Sequence, residues 1–139
     1  MGQYIAPRKM TDERETPDEV YAALDKEFGF TRDVCASHVN RKHVPYWTIE
    51  DDALTKRWHG VCWMNPPYSQ TARWMQKAYE ESRRGATVVC LVPSATDTGW
   101  WHNYAILGEI RFWRGRIRFV GTRGSAPFPS AVVIFRRMR

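Results

Sequence analysis

The apolar positions of this chain switch between helical and strand spacing, and each switch marks an element. Val20, Ala23, Leu24 and Phe28 recur at helical intervals and predict one inward face. Ahead of them, Thr16-Pro17-Asp18-Glu19 reads as a helix start: Thr as N-cap, Pro at the first position, acids in the first turn and Glu three residues after Thr. Gly29 closes that helix. Phe30 to Ala36 reads as a strand end with Asp33 near its tip, and Val61-Cys62-Trp63-Met64 is a short apolar strand. Ala72, Met75, Ala78 and Tyr79 predict a helix over Thr71 to Arg84, ended by Gly85. Thr87 to Val92 is continuously apolar, the pattern of a strand buried on both faces. A helix over Thr98 to Leu107, strands over Glu109 to Trp113 and Arg116 to Val120 around Gly115, and a last strand over Ala131 to Phe135 complete the order. Ser37 to Asp52 is irregular, polar and aromatic.

Strand, helix and strand alternate through the middle and give way to a strand-rich end. That order predicts an α/β fold: a doubly wound, mostly parallel sheet with helices on both faces and an antiparallel strand at one edge. Ligands of such sheets sit at the carboxyl ends of strands where the winding reverses. Asp33 and Asn65 would end neighbouring strands there. Residues 1–15 are polar and aperiodic and read as a flexible N-terminal arm, with Arg8, Lys9 and Arg14 available to solvent or phosphate. Residues 16–139 read as a single domain without a separate target-recognition domain.

Composition narrows the partner. A formal net charge of +6 and seven Trp in 139 residues suit a polyanion with flat faces to stack on, without separating DNA from RNA. Cys35, Cys62 and Cys90 are odd in number and lack metal-ligand spacing, so they read as free thiols and no metal is expected. No stretch is apolar and long enough to cross a bilayer, which predicts a cytoplasmic protein.

The chemistry concentrates in Asn65-Pro66-Pro67-Tyr68, directly behind the Val61 strand. The Asn65 amide oxygen and the Pro66 carbonyl are two acceptors, and the fixed φ of proline stiffens the turn that carries them. An amino group donating to both is drawn from its planar, ring-conjugated form toward a tetrahedral nitrogen with an available lone pair. Tyr68 offers a flat face for a base flipped out of its stack. These residues point to methyl transfer onto nitrogen, with S-adenosylmethionine as the usual donor. Asp33, with the small residues Cys35, Ala36 and Ser37, suits the methionine part of that donor. Asp51 or Asp52 is a candidate for its adenine amino group, against the alternative of a helix-start acid pair. Trp100, Trp101 and His102 are candidates to line the base pocket, one of the two tryptophans competing for a place in the core. Arg111, Arg114, Arg116, Arg118 and Arg123 gather around Trp113, as phosphate contacts or as edge-strand charges.

Thr16-Pro17, Asp33-Val34-Cys35-Ala36-Ser37 then Asn40, Asp51-Asp52-Ala53-Leu54 then Trp58, Asn65-Pro66-Pro67-Tyr68-Ser69, Leu91-Val92-Pro93, Asp97 to His102 and Gly115 to Phe119 together resemble the small phage-type DNA N6-adenine methyltransferase (Dam-like) family. The resemblance runs from Thr16 to Phe135. It implies a class I methyltransferase sheet, S-adenosylmethionine as cofactor and transfer to adenine N6 in DNA, with phage origin placing the protein in the host cytoplasm. Asn65 to Tyr68 would be the catalytic turn. Thr16, Pro17, Asp33, Cys35, Ala36, Ser37 and Asn40 would hold the cofactor, with one of Asp51 or Asp52 on its adenine side. Trp100, Trp101, His102, Arg114, Arg116 and Arg118 would face DNA. Two departures stand out: Cys35-Ala36-Ser37 replace a glycine-rich loop, and no acid ends the second strand, leaving Asn40 as its candidate substitute. The same turn also suits cytosine N4 or a protein glutamine amide, and an inactive DNA-binding relative or a homodimer sharing recognition surfaces stays open.

Overall fold

The computed structural model describes residues 14–37, 39–122 and 124–138, so Arg8, Lys9 and Arg123 lie outside the described residues. Helix α1, Asp18–Phe28, starts behind Pro17, whose φ of −58° needs no adjustment to enter a helix, and carries Asp18 and Glu19 in its first turn. Gly29 ends it at φ +65°, donating its N–H to Asp25 O at 2.7 Å. The buried face is Val20, Tyr21 and Leu24, and Ala23 is exposed. Thr16 makes no cap bond, contrary to the capping reading, because its hydroxyl is engaged elsewhere.

Strands β1, Arg32–Asp33, β2, Val61–Met64, β3, Thr87–Pro93, β4, Glu109–Phe112, and β5, Ser130–Phe135, form one sheet in the order β1-β2-β3-β5-β4. Helix α2, Thr71–Arg83, links β2 to β3, and helix α3, Gly99–Asn103, follows β3. The β1–β2 and β2–β3 pairs are parallel, and the β3–β5 and β4–β5 pairs are antiparallel. The antiparallel strand is therefore inside the sheet rather than at its edge, and the four pairings divide evenly between the two senses. The reason lies in β5 itself: all six of its residues are buried, so it needs a neighbour on each side.

Alternation along the strands sorts the core into two layers. Val89 and Leu91 of β3 join Trp63, Val132 and Ile134 beneath α1, while Val88, Cys90 and Val92 join Cys62, Met64, Ala131 and Val133 beneath Trp74, Met75 and Ala78 of α2 and Trp101 of α3. Helices thus cover both faces. Two expected elements change. The helix over Thr98 to Leu107 breaks at Tyr104 into α3 and a 3-10 turn, Ala105–Leu107. Arg116 to Val120 forms no strand: Ile117 and Phe119 point inward as the alternation predicts, but the backbone is held by scattered bonds, Val120 N to Glu15 O, Ala126 N to Ile117 O and Thr122 N to Phe119 O, rather than by a ladder.

Candidate active site

Parallel pairing sets Asp33 beside Trp63, so the ends of β1 and β2 open side by side, and the Asn65 turn leaves β2 at that point. A shallow cleft, open to solvent, lies there. Asn65, Pro67, Asp33, Cys35, Ala36 and Asn40 line it together with Arg14, Glu15, Thr16, Lys42 and Trp63.

Asn65 is held in one orientation. Its Nδ2 donates to the Arg14 carbonyl and, at 3.1 Å, to Thr16 Oγ1. A backbone carbonyl can only accept, so the atom facing Arg14 must be the NH₂, and Oδ1 is fixed on the other side. That oxygen is buried and, among the described residues, has no hydrogen-bond partner. In the turn itself, Pro67 O accepts from Gln70 N at 3.0 Å, and among the described residues no N–H donates to the Pro66 carbonyl. Tyr68 opens a 3-10 turn, Tyr68–Gln70, that leads into α2. Its ring meets Phe128 edge-on, centroids 4.9 Å apart, and the Arg14 guanidinium lies 5.5 Å from both centroids, its buried Nε without a partner among the described residues. Burial pushes the Tyr68 phenol up, although Arg14 pulls it the other way.

Asp33 is 2 % exposed. Burial raises its carboxyl to about 6, against the opposing pull of the Lys42 amide at 2.9 Å, the Cys35 amide at 3.2 Å and the Lys42 charge. The turn that follows closes on itself: Ala36 N donates to Trp47 O, Ser37 N to Asn40 Oδ1 at 2.6 Å, and Asn40 N to Ser37 Oγ at 3.1 Å. Cys35-Ala36-Ser37 therefore reach this shape without glycine, each amide already partnered. Lys42, its side chain 7 % exposed, bridges Glu15 at 3.3 Å and Asp18 at 2.8 Å.

Other sequence candidates fall elsewhere. Pro17 is buried as the residue that caps α1, and Pro66 is buried in the turn, neither lining the cleft. Asp51 and Asp52 are exposed and away from it; Asp51 Oδ2 accepts from Thr48 N at 2.8 Å, and Asp52 takes a left-handed φ of +53°. Trp101 is core, 4 % exposed, with Phe112 stacked on it, and Trp100 packs half-buried against it. His102 Nε2 sits 2.7 Å from Thr96 O, which requires the proton on that nitrogen. Arg114, Arg116 and Arg118 are exposed, and among the described residues no acid pairs with them. Arg111 is spent differently, gripping Glu27 with two bonds of 2.7 Å and Glu109 with another. Tyr68 and Ser37 do not line the cleft; Glu15 and Lys42, which do, and Phe128, which packs on Tyr68, are residues that the sequence pattern did not flag. Their partners lie far away in sequence, and no local spacing announces them.

A mixed α/β sheet with an Asn-Pro-Pro-Tyr turn opening onto a cleft at its strand ends is consistent with a methyltransferase-like fold. Residues 4–138 match the family model described as DNA N-6-adenine-methyltransferase (Dam), and the chain belongs to that family. It is 32% identical over 99 residues to the DNA N-6-adenine-methyltransferase of Escherichia phage T1, covering 68% of this chain and 41% of that protein. It is 36% identical over 90 residues to the protein of the same name from Haemophilus phage HP1, covering 62% of this chain and 52% of the relative. The chain thus spans about half the length of these curated relatives.

Proposed function

We propose that this chain is an S-adenosylmethionine-dependent DNA methyltransferase that modifies N6 of a flipped-out adenine. The carrying observation is the buried Oδ1 of Asn65, without a partner among the described residues, with both amide hydrogens already committed, beside a cleft. A buried unpaired acceptor costs about 1–3 kcal/mol, a cost that makes sense if a substrate donor completes it. Asn65 Oδ1 and the Pro66 carbonyl accept the two hydrogens of the target amino group and hold its nitrogen away from planarity. Tyr68 holds the base by its face, and Phe128 supports Tyr68 from the side.

The residues of the cleft fit S-adenosylmethionine. Lys42 already sets an ammonium group against Glu15 at this end of the cleft, and Glu15 and Asp33 would be the carboxylates for a cationic amino-acid head. Cys35 and Ala36 leave room beside it, and because the amides of the turn are already partnered, the turn contributes shape rather than donors. When bound, the cofactor supplies an electrophilic methyl group. Asp51 and Asp52 stand in an exposed loop, and an adenine contact from either requires that loop to approach the cleft. Arg114, Arg116 and Arg118, which pair with no acid among the described residues, suit the phosphates of DNA. Their relatives' names favour DNA as the substrate and adenine as the base.

Incubation with labelled S-adenosylmethionine and DNA, followed by nucleoside analysis, should yield N6-methyladenine. Asn65→Ala should lower turnover by about 100-fold or more, the scale of removing one transition-state hydrogen-bond partner, while DNA and cofactor affinities stay within about threefold. Label on cytosine, or on protein glutamine alone, would overturn the substrate. Undiminished turnover in Asn65→Ala would remove the turn from the mechanism.

A further inference from the structure

Both hydrogens of the Asn65 amide go to one short strap of backbone. Arg14 gives its carbonyl and Thr16 its hydroxyl, 51 and 49 residues away in sequence. The strap is fixed independently of Asn65. Glu15 O accepts from Val120 N at 2.9 Å, Glu15 Oε2 meets Lys42, and Pro17 O receives the amides of Val20 and Tyr21 at 3.1 and 3.2 Å. Thr16 is 1 % exposed, so its hydroxyl cannot turn to bulk water. Its sequence context would make it the N-cap of α1, a role worth about 1 kcal/mol, yet no side-chain cap bond forms there. The oxygen that would cap the helix faces the Asn65 amide instead.

We propose that Thr16 is a positioning residue for methyl transfer: by accepting one Asn65 hydrogen while the Arg14 carbonyl takes the other, it locks Oδ1 toward the target amino group. The inference rests on reading Asn65 as the acceptor for that group. An asparagine amide is nearly symmetric in shape, and rotating it half a turn replaces the oxygen with NH₂. A donor would then face the donors of the target, and the pull on its nitrogen would be lost. The Arg14 carbonyl, which can only accept, decides which end of the amide faces the strap; the Thr16 hydroxyl takes the second hydrogen and holds the amide plane against the strap. This differs from a cofactor contact, which is the role the sequence resemblance implies for Thr16.

The full chain carrying Thr16→Val, which keeps the shape and removes the acceptor, separates the two roles. Turnover should fall about tenfold, the equivalent of about 1.4 kcal/mol in the barrier, with KM for S-adenosylmethionine within about twofold. Thr16→Ser should restore turnover to within about threefold of the parent, and Thr16→Val should keep the parent's circular dichroism and cooperative unfolding, which a loss of folding would abolish. In an Asn65→Ala background Thr16→Val should add nothing, because there is no amide left to orient. Weakened cofactor binding with unchanged turnover, or losses that multiply in the double variant, would overturn the positioning role. If Asn65→Ala itself were fully active, the fault would lie with the proposed function; if Asn65→Ala were inactive and Thr16→Val normal, only this inference would fall.

Discussion

Asp33 combines a buried carboxyl with two backbone donors and a nearby ammonium, and burial prevails, moving it from 3.8 to about 6. A folded-state value above the unfolded one means that the unfolded chain ionises first, so stability should decline as pH rises from about 4 to about 6, by at most roughly 3 kcal/mol. Denaturant unfolding across that range should show the decline. In Asp33→Asn it should flatten on a lower baseline, since the NH₂ of the replacement opposes one of the amides that Asp33 now satisfies. An unchanged slope in the variant would assign the titration to another group. Residue identities such as Asn65, Asp33 and Ala36 were legible in the sequence because local chemistry names them and strand ends bring them to one cleft. Thr16 was legible as an important position but not as the partner of Asn65, because helix-start grammar is local and the competing bond spans 49 residues. Phe128 had no signal, lying in a stretch of Pro, Ser and Ala without periodicity.

Helix α2 owes its anchoring to Glu81, whose side chain is fully buried. Burial pushes this carboxyl up, but the Trp58 amide at 2.7 Å, Lys77 at 3.1 Å and Arg84 at 2.5 Å outweigh it and leave it below its usual value. The Trp58 indole in turn donates to Ala53 O at 2.9 Å, so one acid ties the loop before β2 to the helix that follows the Asn65 turn. Glu81→Ala should cost about 3–5 kcal/mol by leaving buried donors without a partner, readable as a lowered denaturant midpoint; a loss under about 1 kcal/mol would contradict the anchor. Periodicity located α1 and α2 and put Val20, Leu24, Met75 and Ala78 inward correctly, but it misplaced Ala23 and Ala72. Tyr21 and Trp74 take the burial assigned to Ala23 and Ala72, since a large ring beside the same stripe removes more apolar surface from water. Likewise the alternation over Arg116 to Val120 tells which side chains turn inward, not whether a neighbouring strand exists.

Across the whole molecule the positive charge divides into paired and unpaired guanidinium groups. Arg111 and Arg136 are bound to Glu27 and Glu109, whereas Arg114, Arg116 and Arg118 remain unpaired with acids among the described residues. Replacing those three with Gln should flatten the dependence of DNA affinity on salt by about 2–3 in log–log slope, at about 0.9 per lost phosphate contact. A slope unchanged from the parent would take DNA off that surface. The helices over both faces and the parallel start of the sheet could be read from alternation and continuous apolar runs. The place of β5 could not, because a fully buried run fits either sense of pairing and no turn signal fixes its neighbours. That placement has a consequence during synthesis. β3 is ready when residue 93 has been made, yet its partner on one flank arrives only with residues 130–135. A nascent chain leaving the ribosome therefore exposes an unpaired Val-Val-Cys-Leu-Val edge for the time it takes to translate some forty further codons, and crowded or fast expression should favour inclusion bodies over native protein.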